Sequence, residues 1–529
     1  MAVHHTAPPA GAGLRTPEAP IPPETPILVP GKTCWRIARA DRLALIVDAA
    51  AYFAAAKAAM GLARHRLMMV GWDFDLRIRL EPDREDARQP DMLGRFVQHL
   101  VQSRPGLQAF ILKWDMAMVK TIAREIVPLL VMQWLTMRRI HFRLDSEHPL
   151  DACHHQKLMV IDDALAFCGG IDMTRDRWDT PEHRENDPCR VEPDGTPYEP
   201  FHDVAALFDG DAAVAMGDLA RRRWRRAGGR RLPPVPPPSG PFPWPDGVAV
   251  AMRNVDVAIA RTEPDYDGHP LIDEIKELYV AALSAARRTI YLESQYLSSR
   301  AIREVLVRRL EEPGGPEVVV VNPQHAEGWL ERWSMDAARS QVVGRLRRAD
   351  RHDRLRLFYP VNAAGTPIYV HAKVMVIDDR LLRLGSSNLN NRSMGFDTEC
   401  DVAVDAAGQP DEPAVRRAII AFRNRLLAEH LGVPPEDLAA AIDARGSLVA
   451  AIDALRRDEG RSLRPLEVRD LGETEASLVD LQLFNPESRT HRERRLVHAM
   501  KKTVTRYYPL VAGLAAGVAV GLALRRRRR

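Results

Sequence analysis

The chain has 529 residues, of which 46% are hydrophobic and 28% are charged, and its formal net charge at pH 7 is only +4. This composition is typical of a globular protein with two or three folded units, and the near-neutral balance points to no particular charged partner. Five cysteines without C-x-x-C spacing indicate reduced thiols, and they exclude a disulfide framework or a cysteine zinc site.

The first folded unit is predicted to follow a proline-rich segment, residues 1–31, which lacks the apolar core of a secretory signal and is expected to be disordered. From about residue 32 onward, strand-like and helix-like segments alternate, as they do in α/β domains. The pattern predicts helices over residues 41–65 and 211–227 and strands over 66–80, 107–115, 141–145, 156–162 and 164–172. The arginines of the second helix are expected to form a solvated face.

A second unit is predicted beyond residues 230–247, where prolines are too dense for a helix or a central strand. Helices are predicted there over 270–286 and 299–312, strands over 288–294, 316–322, 354–360, 372–378 and 380–388, and mostly helix over 410–505. The resulting division is an N-terminal domain (32–232), a linker (233–246), a C-terminal domain (247–430) and a helical region (431–505).

The C-terminal segment is apolar. Residues 507–524 carry no charge and lie between basic clusters, and at about 1.5 Å per residue they cover roughly 27 Å, barely enough to cross a bilayer. Gly513, Gly517 and Gly521 recur every fourth residue, as in helices that pack closely in lipid. We therefore predict that residues 506–529 associate with a membrane, spanning it or lying on it, with the folded domains facing the cytoplasm. A buried Ala/Gly helix is the alternative.

An internal repeat links the two units. The segment HQKLMVIDDALAFCGGID (155–172) aligns without gaps with HAKVMVIDDRLLRLGSSN (371–388). A match of this quality indicates two related halves. In a strand, residues i and i+2 share a face, so His155 should lie beside Lys157, and His371 beside Lys373. The neighbouring His154 points the other way and is expected to be a packing or hydrogen-bonding residue.

Each repeat supplies an imidazole and an ammonium group, and two repeats brought together would suit the cleavage of a phosphodiester. One histidine can attack phosphorus, the lysines can neutralise the phosphoryl oxygens, and the other histidine can protonate the leaving alcohol. Gly169, Gly170 and Gly385 are expected to let the backbone approach an anion closely. This chemistry requires no metal or cofactor, and no metal-ligand spacing is evident in the sequence.

The paired motifs resemble the H-x-K-x4-D signature of the phospholipase D superfamily. The similarity extends to GGIDMTRDRWD (169–179), PFHDV (200–204), YLESQYL (291–297) and GSSNLNNRSMGFDTECDV (385–402), which resemble the eukaryotic-type, phosphatidylcholine-cleaving branch. The resemblance covers about residues 32–430. It implies an α/β fold of two homologous α/β/α domains, with mixed sheets flanked by helices, related by a pseudo-twofold axis with the site at their interface.

The resemblance also implies a set of site residues. His155 is expected to be the nucleophile, and His371 the general acid and later the base. Asp203 is expected to orient His155, and Glu399 to orient His371, while Asp162 and Asp378 support the loops. The phosphate is expected to contact a further set that shares one pocket: Lys157, Lys373, Ser386, Asn388 and Asp172. The last of these departs from the second repeat, which has asparagine there.

The leading functional prediction is hydrolysis of glycerophospholipids, such as phosphatidylcholine, to phosphatidic acid and a head-group alcohol. A phospholipid and a membrane are the expected partners, and nucleic acid is not. Transfer of the phosphatidyl group to another alcohol, including cardiolipin-synthase-like chemistry, is the close alternative. A nuclease and a non-enzymatic tail-anchored scaffold are further alternatives.

Overall fold

A computed structural model describes residues 26–84, 89–115, 137–237, 240–326, 329–468 and 485–486. The proline-rich N-terminus up to residue 25 and the apolar tail at 506–529 lie outside these residues. Within the described ranges, no helix is both long and apolar enough to cross a membrane.

The first half contains strands that alternate with helices. They are β1 (Arg36–Val47), α1 (Ala49–Met60), β2 (Arg66–Gly71), α2 (Leu93–Ser103), β3 (Gln108–Trp114), β4 (Ile140–Asp145), β5 (Leu158–Ile161), β6 (Leu165–Gly169), β7 (Phe201–His202), β8 (Val204–Phe208) and α3 (Gly210–Arg226). The motif strand β5 and its partner β6 form an antiparallel hairpin.

The second half repeats this plan and adds helices after it. Its elements are β9 (Met252–Glu263), β10 (Ile272–Asp273), α4 (Glu274–Ala285), β11 (Thr289–Glu293), α5 (Arg300–Glu311), β12 (Glu317–Val321), α6 (Trp329–Ala349), β13 (Leu355–Val361), β14 (Tyr369–Val370), β15 (Val374–Ile377), β16 (Leu381–Gly385), α7 (Asn391–Gly395), β17 (Glu399–Asp405), α8 (Glu412–Leu431), α9 (Pro435–Arg445), α10 (Leu448–Leu455) and β18 (Ser462–Pro465). The second motif strand is β15.

One mixed sheet runs through both halves. Its order is β18-β13-β12-β11-β15-β16-β17-β9-β1-β8-β6-β5-β2-β3-β4, with β10 added to β9. The order is mirrored about the antiparallel β1–β9 pair, so β5 and β15 occupy equivalent places. Helices cover the sheet, and one apolar core includes residues of both halves, from Leu43 in β1 to Leu426 in α8. The predicted α/β class with mixed, helix-flanked strands is confirmed.

Two local predictions are wrong. Residues 41–47, expected to be helical, belong to β1, because both edges of this strand pair with neighbours, β8 and β9. The buried run LALIV suits a strand or a helix equally by pattern, so tertiary pairing decides. The predicted strand over 66–80 ends at Gly71.

The arginines of α3 do not all form a solvated face. Arg221 and Arg223 are buried, where Arg221 forms an ion pair with Asp163 and Arg223 Nε lies 2.5 Å from Asp145 Oδ2. Charges are tolerated in such places only when they are paired. The carboxylates come from strand ends beneath the helix, which the sequence of the helix alone cannot indicate.

Candidate active site

The two motifs meet because short segments of one half pair with short segments of the other. The segment β14, just before His371, pairs in parallel with β7, just before Asp203. In the same way, His154 forms a parallel bridge with Thr398, just before Glu399. The His371 amide donates to His202 O at 2.8 Å, and the His155 amide donates to Thr398 O at 2.9 Å. The site is therefore assembled from both halves at their contact.

The two motif histidines face each other. Their ring centroids are 6.5 Å apart, with the rings inclined at 60°. The His155 side chain is 15% exposed and that of His371 is 8% exposed, so both rings can be reached from solvent although both are largely enclosed. This spacing suits one phosphoryl group held between two imidazoles.

The predicted pairing of histidines with carboxylates is wrong, because the pairs are crossed. His155 Nδ1 lies 3.0 Å from Glu399 Oε2, and His371 Nδ1 lies 2.6 Å from Asp203 Oδ2. Each histidine is thus oriented by a carboxylate from the other half. The cause is the pairing between the halves. Asp203 directly follows β7, which pairs with β14 just before His371, and Glu399 directly follows Thr398, which pairs with His154 just before His155.

Gly170 and Ser386 occupy matching positions and support these carboxylates differently. A Cβ atom at Gly170 would lie 2.2 Å from Asp203 Oδ1, so any side chain there would displace that carboxylate. Ser386 instead has its hydroxyl 2.5 Å from Glu399 Oε2, to which it donates. The glycine therefore makes room for a carboxylate and not, as the sequence suggested, for an anionic ligand. Likewise Ser386 orients Glu399, whereas a phosphate contact was expected.

Burial dominates the protonation of these pairs. It lowers the pKa of His155 well below its usual value, and the charges of Lys157 and Lys373 lower it further. Burial and Lys373 do the same to the pKa of His371. Burial raises the pKa of Glu399 to about 7 and that of Asp203 to about 6. Removing these groups from water disfavours their charged forms, so both imidazoles are neutral in the free protein at pH 7.

The two motif lysines have different surroundings. Lys157 Nζ lies 3.1 Å from Asp172 Oδ2 and donates to His155 O at 2.8 Å. Asp172 is therefore a partner of this lysine, and the contact with phosphate expected of it stays a prediction. Lys373 donates to His371 O, and burial lowers its pKa to about 7.

Asn388 takes the place of Asp172 in the second half. Its Oδ1 is buried and has no hydrogen-bond partner among the described residues, while its backbone amide donates to Ser393 Oγ at 3.1 Å. A buried amide oxygen without a partner is costly. A hydrogen-bond donor such as a water molecule would satisfy it, whereas a phosphate diester has only acceptor oxygens and would not. The phosphate contact expected of this side chain therefore stays a prediction.

The aspartates that complete the two motifs hold backbone. The Asp162 carboxylate accepts hydrogen bonds from the amides of residues 64–66 at 2.6–2.8 Å, and the Asp378 carboxylate accepts from the amides of residues 287–289 at 2.8–2.9 Å. Both residues have positive φ, 53° and 54°. Each fixes the start of the neighbouring strand, β2 or β11, in keeping with the predicted support of the loops.

His154 lies behind the site. Its Nδ1 is 3.0 Å from Thr398 Oγ1, and its Nε2 is 2.5 Å from Arg223 Nη2 and 3.1 Å from Asp145 Oδ1. Burial, aided by Arg223, lowers its pKa to about 3. It is therefore a neutral, buried hydrogen-bonding residue, as its position in the strand predicted.

Sequence reasoning did not single out Arg177, which lies within GGIDMTRDRWD. Its guanidinium stacks 4.7 Å from the ring centroid of Phe201, and that ring lies 5.4 Å from the His371 ring. Its charge contributes to the lowered pKa of His371 and of Lys373. Its Nε is buried without a hydrogen-bond partner among the described residues. Arg177 thus adds a third cation to the pocket on the His371 side.

A second buried cluster lies beside the site and could hold a metal ion, which the sequence did not indicate. His202 Nδ1 is 2.9 Å from Asp48 Oδ1 and 3.0 Å from Glu429 Oε1, and His183 Nε2 is 3.3 Å from Glu429 Oε1. One ligand atom from each of these four residues lies within 4.8 Å of the others. The three distances are hydrogen-bond lengths between imidazole nitrogens and carboxylate oxygens, and the same types of donor atom can also bind a divalent cation. The four residues come from separate segments, so no local spacing in the sequence reveals the cluster.

Comparisons with known proteins show similarity to phospholipases D. The family model of phospholipase D matches residues 354–446. Phospholipase D alpha 1 of Carica papaya is 24% identical over 70% of this chain and 62% of its own length, and phospholipase D A of Dictyostelium discoideum is 24% identical over 74% of this chain and 36% of its own length. The chain therefore spans less than two thirds of these relatives.

Among solved structures, phosphatidylserine synthase of Haemophilus influenzae superposes with a TM-score of 0.51 over 79% of this chain and 96% of that chain, at 12% sequence identity. That likeness concerns the fold. The paired motifs, the matched family model and the sequence relatives together show that this chain is similar to phospholipases D, and in particular to those of eukaryotes.

Proposed function

We propose that the protein is a phospholipase D that hydrolyses glycerophospholipids, with phosphatidylcholine as the reference substrate, to phosphatidic acid and the head-group alcohol. The observation that carries the proposal is the meeting of two H-x-K motifs, with histidine rings 6.5 Å apart and a buried carboxylate on each Nδ1. The named sequence relatives, phospholipases D of papaya and Dictyostelium, support the same activity.

In the first step, His155 Nε2 attacks phosphorus. Its Nδ1 is occupied by Glu399, so Nε2 is the nitrogen left to react. A phosphorus–nitrogen bond forms and the bond from phosphorus to the head-group oxygen breaks. His371 Nε2 gives its proton to that oxygen, and Lys157 and Lys373 balance the charge on the phosphoryl oxygens. The products are a phosphatidyl-histidine and the free alcohol.

In the second step, water takes the place of the alcohol. His371, now neutral, removes a proton from the water, the oxygen attacks phosphorus, and the phosphorus–nitrogen bond breaks. Phosphatidic acid leaves, His155 is again neutral and His371 again carries a proton. An alcohol can replace water at this step, so phosphatidyl transfer uses the same groups and is the second candidate.

The protonation states suit His155 as nucleophile and His371 as general acid only after the phosphate has bound. In the free protein burial keeps His155 neutral, as a nucleophile must be, but it also keeps His371 neutral. An anion between the rings favours a charged imidazole, and Asp203 at 2.6 Å stabilises that charge. Binding of a phosphate diester therefore raises the pKa of His371, which takes up a proton from solvent and can then act as the general acid.

The direct test is a panel of purified lipid classes, each with and without ethanol. We expect phosphatidic acid without ethanol and phosphatidylethanol with it. His155→Ala serves as the inactive control. Cleavage of DNA without any lipid product would overturn the proposal, and so would binding of lipid without turnover. The ratio of the two products measures the balance of hydrolysis and transfer.

Membrane association through residues 506–529 completes the proposal, and the uncharged run at 507–524 between basic clusters supports it. Deleting these residues should leave hydrolysis of detergent-dispersed lipid intact and abolish sedimentation with anionic vesicles. Sedimentation that persists after the deletion would place the membrane contact elsewhere.

A further inference from the structure

Asn485 lies far along the chain from the motifs, yet it is buried against the loop between β16 and β17. It is 7% exposed. Its Oδ1 accepts from the amides of Asn391 at 2.9 Å and Arg392 at 3.3 Å, and its carbonyl accepts from Asn391 Nδ2 at 3.2 Å. Its Nδ2 donates to Ser298, to the carbonyl at 3.1 Å and to Oγ at 3.2 Å. Every polar group of the side chain is therefore used.

The loop that receives Asn485 leads directly to Glu399. Asn391 is the first residue of α7, whose five residues are too few to be a stable helix without outside contacts. The third residue of this helix, Ser393, donates its hydroxyl to Glu399 Oε1 at 2.7 Å and accepts from the Asn388 amide at 3.1 Å. Ser393 therefore holds both the carboxylate that orients His155 and the backbone amide of Asn388.

The first amides of a helix have no partner within the helix and need acceptors from elsewhere. Asn390 accepts from the Ser393 amide at 2.9 Å, and Asn485 accepts from the two amides at Asn391 and Arg392. Removing the Asn485 side chain would leave these two amides without their acceptor, which is unfavourable for buried donors. The turn would relax, and Ser393 would move with it.

We propose that Asn485 is a positioning residue for the active site, acting through α7 and Ser393 on Glu399 and thereby on His155. The inference rests on the proposed function. It means that a C-terminal segment, 22 residues before the uncharged run that starts at Tyr507, forms part of the support of the catalytic pocket.

The effect should appear in turnover more than in substrate binding. If Glu399 is held less firmly, the nucleophile His155 is misplaced. Misplacement by a mutation far from the reacting atoms can lower the reaction rate by up to about 100-fold. The Ser393 hydrogen bond lowers the pKa of Glu399, so its loss raises that pKa further above the usual range. The acid limb of the rate profile should therefore move to higher pH, since the carboxylate must be ionised to stabilise a charged His155.

The test compares Asn485→Ala, Asn485→Asp and the neighbouring control Pro486→Ala in the full chain. We expect Asn485→Ala to lower kcat about 10- to 100-fold with KM nearly unchanged and to move the acid limb upward. Asn485→Asp keeps the acceptor for both amides and should restore most of kcat. Pro486→Ala should behave as the unaltered protein. Ser393→Ala should give the same shift, and its combination with Asn485→Ala should be less than additive.

Hydrogen exchange at residues 391 and 392 gives a readout that does not depend on lipid hydrolysis. Both amides should exchange faster in Asn485→Ala than in the unaltered protein and in Pro486→Ala. Unchanged exchange, or an Asn485→Ala variant with unaltered kcat and pH profile, overturns the inference while the proposed function stands. Faster exchange in a protein that never cleaves lipid would overturn the proposed function alone.

Discussion

In the N-terminal half, Lys157 Nζ lies 3.1 Å from the carboxylate of Asp172. In the C-terminal half, the position that matches Asp172 is occupied by Asn388, whose Oδ1 has no partner in the described part of the chain. Position 170 is a glycine that makes room for Asp203, whereas position 386 is a serine bonded to Glu399. The backbone is common to both, since the matching amides of Gly170 and Ser386 donate to Val204 O and Cys400 O at 3.0 and 3.1 Å.

This difference suits the asymmetric reaction that we propose for this nearly symmetric scaffold. A nucleophile must be neutral and well supported, and His155 has Glu399, which is itself held by Ser386 and Ser393. A general acid must gain and lose a proton. His371 is paired with Asp203, whose side chain is shorter than that of Glu399, and Arg177 lies near its ring. In the proposed reaction, the side chains that contact Glu399 and His371 would therefore give the two similar motifs different roles.

The largest effect should come from the histidines. His155→Ala and His371→Ala should each lower kcat for phosphatidylcholine by about 10⁴-fold or more, because both steps of the reaction need both rings. His154→Ala is the matched control, and it should retain most of the activity in the folded protein. Loss of activity in His154→Ala, with near-normal His155→Ala, would contradict the assignment.

The lysines should differ in their pH dependence. We expect kcat/KM to fall as pH rises through about 7, because Lys373, whose pKa burial lowers to about 7, then loses its proton. Asn388→Asp gives the second half the carboxylate of the first, so it should raise the pKa of Lys373 and move the basic limb to higher pH. If Asn388→Asp leaves the basic limb of the kcat/KM profile unchanged, that limb reports the titration of a group other than Lys373.

The aspartates that end the motifs should be equivalent. Asp162→Ala and Asp378→Ala should each lower the free energy of unfolding by about 3 kcal/mol or more, because each leaves three backbone amides without their acceptor. Denaturant unfolding measures the loss. If one variant is stable but inactive, that aspartate takes part in the chemistry and the two halves differ here as well.

The smallest effect should come from a change at Arg177. The matching position of the second half, 216 residues later, is Ser393, which carries no charge. Arg177→Gln should lower kcat/KM about tenfold by removing a charge-assisted contact with the substrate anion. It should also raise the pKa of His371, because a nearby positive charge is lost. An unchanged kcat/KM across pH 5–9 would place this arginine outside the pocket's electrostatics.

The sequence predicted the reactive groups better than their partners. His155, Lys157, His371 and Lys373 were found from the repeated H-x-K motif, which is a local property of the sequence, although they lie just before β5 and β15 and not within them. The crossing of Asp203 and Glu399 depends on two-residue segments that pair across the halves, and no pattern within either half encodes that pairing. The same holds for Asn485 and for the cluster around His202, whose members are brought together only by the tertiary fold.

The crossed pairs are the central claim, and a lipid with an activated head group, phosphatidyl-p-nitrophenol, tests them directly. Release of p-nitrophenolate needs no general acid, so a rapid burst reports attack by His155 and the slower steady state reports attack by water through His371. We predict that Glu399→Gln slows the burst, whereas Asp203→Asn preserves the burst and slows the steady state. A burst slowed by Asp203→Asn and preserved in Glu399→Gln would contradict the crossed arrangement.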